Sequence, residues 1–330
     1  NLKAEKGQYS NDLEYEIDRA RYAEIKKMVK RIFNYSTDGV LNLYKLFVEE
    51  IIDKYANPNG FVSLLIPSSI LTDKTCTKLR THMLVDSNIL SIKMINEGSG
   101  YIDAQQALSA ILIQKGKRTE SIKVTKDYSN NPNQITDINI EDILNENTGN
   151  AIFAINNHEY FILKQLRKFP VVKDLDFIIN LRGELDLTAN KDSIVNIDTG
   201  YPLLRGRNIG YYEILDTCSG EFVSKDFIEN SKKSRYIKEK RIVCQQVVNM
   251  KKERRVTFAL VEENYVLGNS CNFISVMDND YNIDLYAILG LFNTSIINWL
   301  FKLTSSNNHV NNYEIDCFPV PIGSPYLNKI

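Results

Sequence analysis

The chain has 330 residues, of which 43% are hydrophobic, so it is long enough to form two domains with full cores. The formal net charge of −1 excludes a globally basic or acidic protein, and overall charge therefore indicates no partner. The five cysteines include no Cys-x-x-Cys pair, and no signal-peptide block or apolar run of roughly 20 residues occurs. We therefore expect reduced thiols in a cytoplasmic protein without a membrane segment.

Two amphipathic helices are predicted near the beginning of the chain. The first covers residues 11–33 and the second covers residues 40–55. Each has an apolar stripe at helical spacing, of the kind that faces a core. The stripe residues are Ile25, Met28, Val29 and Ile32 in the first helix, and Val40, Leu43, Tyr44, Phe47 and Ile51 in the second.

Strands and helices then alternate. A turn signal at residues 57–60 precedes the almost wholly apolar segment 61–66, which is typical of a strand buried on both faces of a parallel sheet. A third helix is predicted over residues 73–84. Three more strands are predicted over residues 89–95, 107–115 and 121–126. This order indicates the second half of a doubly wound, Rossmann-like α/β sheet, whose first half with its glycine-rich nucleotide loop does not occur in the sequence.

The pattern changes in the second half of the chain. Residues 130–150 are polar and rich in asparagine, so we place a boundary there and expect domains over residues 1–150 and 151–330. A helix over residues 158–169 follows, and a longer helical stretch is predicted over 283–303. Short strands are predicted between them at residues 177–181, 211–214, 241–248, 256–261 and 272–276. This half is therefore expected to have an α+β fold.

A local excess of positive charge lies in the second half. Residues 231–256 contain ten basic residues and two acidic ones, a balance of +8. Such a run predicts a phosphate-binding stripe, although a solvated strand-and-turn surface is the alternative. The phosphate-binding candidates are Lys232, Lys233, Arg235, Lys238, Lys251, Lys252, Arg254 and Arg255.

The first half resembles the adenine-N6 DNA methyltransferases. Residues 38–47, 58–69 and 79–80 are similar to the segment that follows the catalytic Asn-Pro-Pro-Tyr motif of that family. The family has a helix with Gly-x-x-Asp-Leu-Tyr-x-x-Phe, a strand with Gly-x-x-x-x-Ile-x-Pro, and a helix with Leu-Arg. Asn42 stands where the family usually has aspartate. Residues 101–113 resemble a late motif in which an aromatic residue and a short loop precede an apolar strand.

The second half more strongly resembles the C-terminal specificity domain of TaqI-type enzymes. Residues 201–209 are similar to the family segment Pro-Leu-Leu-Arg-Gly-Arg-Asp-Ile. Further motifs follow in the family's order and spacing, at residues 240–245, 269–274, 289–301 and 318–321. The resemblance covers nearly the whole chain. It implies the end of a methyltransferase domain, with part of a Rossmann-like sheet, followed by an α+β target-recognition domain of a TaqI-type or type IIG restriction-modification enzyme.

The function implied by this resemblance is site-specific adenine-N6 methylation of double-stranded DNA in a restriction-modification system, with S-adenosylmethionine as the methyl donor and a flipped target base. The family's Asn-Pro-Pro-Tyr motif and cofactor loop do not occur in the sequence, which begins at Asn1 rather than methionine. We therefore expect a fragment without catalytic residues, cofactor site or metal site, inactive alone, whose partners are DNA and the missing N-terminal part of the same polypeptide.

Tyr101 is the candidate for stacking on the flipped base. In the family, the late motif supplies an aromatic ring to one wall of the base pocket, and Tyr101 occupies the matching position. The alternative is that the ring covers an edge of the sheet.

Six residues are candidates for reading DNA bases. Arginine suits this role because its planar fork bonds guanine or phosphate through two nitrogens, and amides suit adenine edges. Gly206 would let the backbone between two arginines approach DNA closely. The alternatives are a salt bridge of these arginines to Glu184 or Glu213 and ordinary loop hydrogen bonds for the amides. The candidates are Arg205, Arg207, Asn208, Gln245, Asn269 and Asn272.

A second class of function is a non-catalytic DNA specificity subunit of a type I-like restriction system. Such subunits share a related layout of motifs but consist of paired recognition domains joined by long helices. The predicted α/β first half, with its Pro-Asn-Gly turn, strand and following proline at residues 58–67, favours the methyltransferase instead.

Overall fold

The computed structural model describes residues 4, 6–100, 106–215, 220–305, 308–324 and 327. The chain divides into two compact units, Asn1–Lys164 and Gln165–Ile330, which we call unit 1 and unit 2. The division lies further along the chain than the boundary predicted at residue 150. The reason is that the segment after residue 150 belongs to the core of unit 1, where Ile152 and Phe153 are buried and the Ile152 N–H donates to the carbonyl of Leu71.

Unit 1 combines helices with one mixed sheet. The sheet order is β1-β3-β2-β4-β5, in which β2 and β4 run parallel and the other neighbours are antiparallel. The predicted helices and strands of this half are confirmed, and β5 adds a strand inside the asparagine-rich segment. The helices are α1 (Asp12–Ile32), α2 (Leu43–Glu50), α3 (Thr77–Val85), α4 (Ile140–Ile143) and α5 (Asn157–Leu166), and the strands are β1 (Phe61–Pro67), β2 (Ser87–Ile95), β3 (Leu108–Lys115), β4 (Ser121–Thr125) and β5 (Ile135–Asn139).

The strand β1 does not have the predicted burial on both faces of a parallel sheet. It lies at the edge of the sheet and, among the described residues, pairs only with the antiparallel strand β3. Because side chains alternate across a strand, Leu64 and Ile66 face the core while Phe61 and Leu65 are 67% and 52% exposed. The strand is thus buried on one face rather than two. The sheet has α/β character, but a Rossmann-like half is not shown.

The helix α2 does not turn its predicted apolar stripe toward the core. Its predicted apolar stripe faces outward, with Leu43 and Phe47 exposed, and the helix continues as a π-helical turn over Ile51–Tyr55. The opposite face buries Lys45 and Glu49 together with apolar residues. The Lys45 ammonium donates to the Asp38 carbonyl, and the Glu49 carboxylate accepts backbone N–H groups from residues 34–36. Backbone groups of adjoining loops thus satisfy the buried charges. In the helix α1, none of the residues is buried.

Arg80, the arginine of the Leu-Arg motif in α3, holds the end of the asparagine-rich segment onto unit 1. It is 1% exposed, and its guanidinium donates to the carbonyls of Ile70, Asp73, Gly149 and Asn150. Burial lowers the pKa of Arg80 to about 10. Residues 130–150 therefore belong to unit 1, because a buried cation binds their last carbonyl groups.

Unit 2 is built on an antiparallel sheet of four strands in the order β11-β10-β13-β6, with two smaller two-stranded sheets, β8-β12 and β7-β9. This agrees with the α+β fold expected for this half, although residues 211–214 form a turn rather than a strand. The strands are β6 (Ile178–Arg182), β7 (Ile194–Val195), β8 (Leu203–Leu204), β9 (Phe222–Val223), β10 (Arg241–Gln245), β11 (Phe258–Val261), β12 (Val266–Leu267) and β13 (Cys271–Val276), and the helices are α6 (Lys225–Asn230), α7 (Ser234–Ile237), α8 (Leu285–Phe292), α9 (Ser295–Thr304) and α10 (Asn312–Ile315).

The central strand β10 of unit 2 is buried on both faces. Ile242 and Cys244 belong to a core cluster with α8 and α9, whereas Val243 belongs to a second cluster that includes Tyr236.

No single helix among the described residues has the length and apolar composition to cross a membrane. The helices α8 and α9 meet that test only as a pair, which bends by 62°.

Candidate nucleic-acid interface

Polar loops converge at one end of the four-stranded sheet of unit 2. In the sheet register, Arg182 at the end of β6 lies opposite Asn272, and Gln245 at the end of β10 lies opposite Cys271. The start of β11 reaches the same end, because Phe258 pairs with Cys244. We call this the polar end.

Arg182 is the centre of a hydrogen-bond network at the polar end. This exposed arginine donates from Nε to the Asn269 carbonyl at 2.7 Å and from Nη2 to Gln246 Oε1 at 3.0 Å. The Asn269 side chain donates to the Asp186 carboxylate at 2.8 Å. Backbone N–H groups of the following turn hold the pKa of Asp186 below its usual range. The network therefore fixes an arginine and two amide side chains in one place before any ligand binds.

The Lys233 side chain is hydrogen-bonded to the backbone at the end of β6, next to this network. Its ammonium donates to the carbonyls of Arg182 at 2.6 Å and of Gly183 at 3.3 Å. Burial lowers the pKa of Lys233, while nearby Glu184 opposes that change. Although it was predicted to bind phosphate, Lys233 holds the chain behind Arg182 in this structure.

The two predicted arginines around Gly206 have different surroundings. Arg205 forms a bidentate ion pair, at 2.8 and 2.7 Å, with Glu221 rather than with Glu184 or Glu213. Arg207 is exposed, and none of the described residues forms a hydrogen bond or ion pair with it. Arg207 is therefore the one of the two whose planar fork is available to an outside ligand.

Gly206 is needed for packing within the protein. A Cβ atom at this position would lie 2.6 Å from the Ser270 carbonyl oxygen, and the Gly206 N–H donates to the Ser270 hydroxyl at 2.9 Å. The close approach expected at this glycine is therefore to the protein's own backbone. Because Ser270 directly precedes β13, this contact holds Arg207 at the polar end.

The predicted asparagines and glutamines fall into two groups. Asn272 is fully buried and donates to the Val310 carbonyl, and Asn208 is buried and accepts from the Arg205 N–H. These two side chains stabilise the fold and do not face solvent. Gln245 and Asn269 are half-buried at the polar end.

The predicted basic stripe is not continuous. The buried strand β10 separates Lys238, which precedes it, from Lys251 and Lys252, which follow beyond the polar end. Five residues of strand span roughly 17 Å, so these lysines belong to different ends of the sheet. Arg255 is buried, which lowers its pKa, and Arg254 is half-buried. The exposed candidates of the run are Lys232, Arg235, Lys238, Lys251 and Lys252.

Arg182 was missed among the base-reading candidates, although the sequence contains a signal for it. Like Arg205, it directly precedes a glycine, and a Cβ atom on Gly183 would lie 2.2 Å from the Gly268 carbonyl oxygen. An arginine beside a glycine that packs against another backbone is thus the pattern common to both positions.

Little can be said of the site predicted in unit 1. Tyr101 lies outside the described residues. Gly98 and Gly100 have positive φ, but the next element that the structure describes after them is the strand β3, not a helix whose N-terminus binds phosphate. The described residues contain no group of three or more histidine, cysteine or acidic side chains arranged for a metal ion.

Part of unit 2 matches a known protein family. Residues 201–320 match the model of one family, the TaqI-like C-terminal specificity domain. The matched residues include Gly206 and most of the polar end. The predicted resemblance of this half is confirmed. No curated protein matches the chain significantly.

Several solved structures are similar to the chain at low identity. The type IIG restriction endonuclease BpuSI is 10% identical, with a TM-score of 0.41, and the match covers 97% of this chain and 47% of that one. The type IIL restriction-modification enzyme MmeI, solved in complex with DNA, is 9% identical, with a TM-score of 0.40 and coverage of 84% and 39%. The M protein of the type I enzyme EcoKI is 18% identical, with a TM-score of 0.24 and coverage of 26% and 19%. The chain thus spans less than half the length of these proteins.

Proposed function

We propose that this chain is the DNA-recognition part of a restriction-modification methyltransferase. Unit 2 binds double-stranded DNA through the polar end, and unit 1 is the last part of the methyltransferase domain. The observation that carries this proposal is the position of Arg207 and the Arg182 network at one end of a sheet, three of whose four strands lie in the region similar to the TaqI-like specificity domain.

The chemistry of the polar end suits DNA. Base edges in the major groove are read by arginines and by amides, which bond two atoms of one base at once. Arg182, Arg207 and Gln246 supply these groups, and Lys251 and Lys252 add exposed charges for phosphates. Phosphate contacts position a protein on DNA while base contacts select the sequence. We infer that the arginines and the amide select and that the two lysines position.

The surface of unit 1 favours the methyltransferase over the specificity subunit. An open groove of about 730 Å³ runs between α2 and the edge strand β1, lined by apolar side chains that include Leu43, Phe47 and Leu65. An unpaired strand edge beside apolar surface is a site for adding another strand. We infer that the preceding part of the same polypeptide covers it, with the catalytic Asn-Pro-Pro-Tyr motif and the S-adenosylmethionine loop.

Adenine-N6 specificity and base flipping belong to this proposal. Adenine N6 lies inside the duplex, so a methyltransferase must turn the base out of the stack. The preceding part of the polypeptide would supply the amine acceptors and the cofactor. The contribution of this chain would be Tyr101, stacking on the flipped adenine from the other side.

Binding of the chain to DNA tests the proposal. A duplex preferred by the chain is first selected from a randomised 30-bp pool, and anisotropy then compares it with random duplex. We expect Arg182→Ala and Arg207→Ala each to cost about 1–3 kcal/mol on the preferred duplex and much less on random DNA, because each arginine reads a base.

The matched control is Arg118→Ala, which removes an exposed arginine of unit 1 and should leave both affinities unchanged. Equal losses on preferred and random DNA would reassign Arg182 and Arg207 to phosphate binding. A wild-type chain that selects no duplex and binds none would contradict the proposed function.

A further inference from the structure

A turn with two tyrosines lies at the polar end. The Gly210 N–H donates to the Glu213 carbonyl at 2.9 Å, and Ile209 and Ile214 form a bridge on either side. The Tyr212 N–H donates to the carbonyl of Phe258 at 3.0 Å. Phe258 is the first residue of β11, so this bond ties residues 210–213, which we call the tyrosine turn, to the polar end.

Tyr212 has a backbone conformation that aromatic residues rarely adopt. Its φ is +64°, in the left-handed region, where the Cβ atom crowds the backbone. The other described non-glycine residues with positive φ are all asparagines, whose short polar side chain tolerates this region: Asn59, Asn150, Asn264 and Asn282. Strained residues of this kind concentrate at functional sites.

Both tyrosine rings are also exposed to solvent. Tyr211 is 45% exposed and Tyr212 is 47% exposed, and the two rings meet edge to face with centroids 4.6 Å apart. A strained turn that presents two large rings to water forgoes the burial that usually stabilises aromatic side chains. This arrangement indicates a ligand that covers the rings.

Arg254 adds a positive charge to the same surface. Its guanidinium lies 4.3 Å from the centroid of the Tyr211 ring. Arg254 Nη1 and the Tyr211 hydroxyl both donate to the Asn293 carbonyl, at 2.9 and 3.3 Å, and the Asn293 side chain is bound to both backbone groups of Phe258. No carboxylate of the described residues lies within ion-pair distance of Arg254. The cation and the ring are therefore held together by a buried residue.

We propose that Tyr211, Tyr212 and Arg254 form a platform on which a nucleobase exposed in bound DNA stacks. This inference rests on the proposed DNA binding of unit 2. Bases stack on aromatic and guanidinium planes whatever their sequence, and a cation beside the ring strengthens the attraction. The exposed Lys251 and Lys252 lie three and two residues before Arg254 and supply charge for the neighbouring phosphates.

A bulged duplex provides the probe. The full chain is titrated into a 30-bp duplex that carries one extrahelical 2-aminopurine, and into the same duplex fully paired. Anisotropy reports affinity, and the fluorescence of 2-aminopurine reports stacking on a ring. We expect the wild type to bind the bulged duplex more tightly and to quench the probe.

Variants of the turn separate the ring from the backbone. Tyr211→Ala and Tyr212→Gly should each weaken binding to the bulged duplex by about 5-fold to 100-fold and remove the quenching. Tyr212→Gly also relieves the left-handed strain, so its melting temperature should not fall. Tyr211→Phe keeps the ring and should keep both signals.

The matched control is Tyr286→Ala, because Tyr286 is an exposed tyrosine elsewhere in unit 2. If Tyr211→Ala and Tyr212→Gly bind and quench the bulged duplex like the wild type, the platform is wrong while DNA binding stands. If the wild type binds neither duplex, both the proposed function and the platform are wrong.

Discussion

The two units expose different kinds of surface. Unit 1 presents apolar side chains beside the outer edge of β1, which pairs with none of the residues that the structure describes, and Phe47, Phe61 and Leu65 are each more than half exposed. Unit 2 presents cations and amides at the end of its sheet, around Arg182 and Arg207. An apolar patch beside a strand edge matches another piece of protein, whereas cations with amides match the phosphates and base edges of a nucleic acid.

The interiors differ as well. Unit 1 buries Arg80 among backbone carbonyl groups, whereas unit 2 buries Arg241 against the carboxylate of Glu184, with both side chains fully buried. Arg241 also donates to the Tyr265 carbonyl, and Glu184 accepts from the Leu267 N–H. In unit 1 the buried cation holds a loop through its carbonyl groups, whereas in unit 2 the ion pair joins the strand β10 to the segment that follows β6. In both units a buried arginine thus stabilises the fold, through carbonyl groups in unit 1 and through a carboxylate in unit 2.

The largest effect is expected from breaking the ion pair of unit 2. Arg241→Ala should lower the free energy of unfolding by about 3–5 kcal/mol, because it leaves the Glu184 carboxylate buried without a partner. Trp299 is the only tryptophan of the chain and lies in α9, so its fluorescence during urea unfolding reports on unit 2. The double variant Arg241→Met with Glu184→Leu serves as the control and should lose far less. A loss below about 1 kcal/mol in the single variant would show that water reaches the pair.

A smaller effect is expected on the apolar surface of unit 1. Leu65→Lys and Phe47→Lys should each reduce binding of the dye ANS to the chain by roughly half, because each removes exposed apolar area from the groove. Leu215→Lys changes an exposed leucine of unit 2 and should leave the dye signal unchanged. If the wild-type chain binds no ANS, unit 1 does not have the accessible apolar surface that distinguishes it here from unit 2.

The smallest effect is expected from the loop beyond the polar end. Replacing Lys251 and Lys252 by alanine should weaken binding to all DNA sequences alike and reduce the salt dependence by up to about two phosphate contacts. The measurement is the slope of log affinity against log salt concentration. The control replaces Lys117 and Arg118, two exposed cations of unit 1. An unchanged slope in the Lys251 and Lys252 variant would leave phosphate binding to Lys232, Arg235 and Lys238.

Much of the local structure was predictable from the sequence. The turn signal at residues 57–60 and the apolar runs after it located β1, β2, β3 and β4 to within a few residues. The motif at residues 201–209 predicted a resemblance to the TaqI-like specificity domain, and the family match over residues 201–320 confirms this resemblance. These features depend on neighbours within a few positions along the chain, where helical and strand periodicity act.

Local patterns do not predict which residues meet or which side of each element faces inward. The apolar stripe of α2 turned outward because Lys45 and Glu49 found backbone partners in the adjoining loops. Arg182 met Asn269, 87 positions further along, through the register of β6 and β13. Periodicity defines a face but not the partner it packs against, and sheet register joins segments that no local pattern links. Local patterns in the sequence therefore predicted most of the elements and the resemblance of residues 201–320 to the TaqI-like specificity domain. The burial of Asn272, the pairing of Arg205 and the exposure of Arg207 followed from packing.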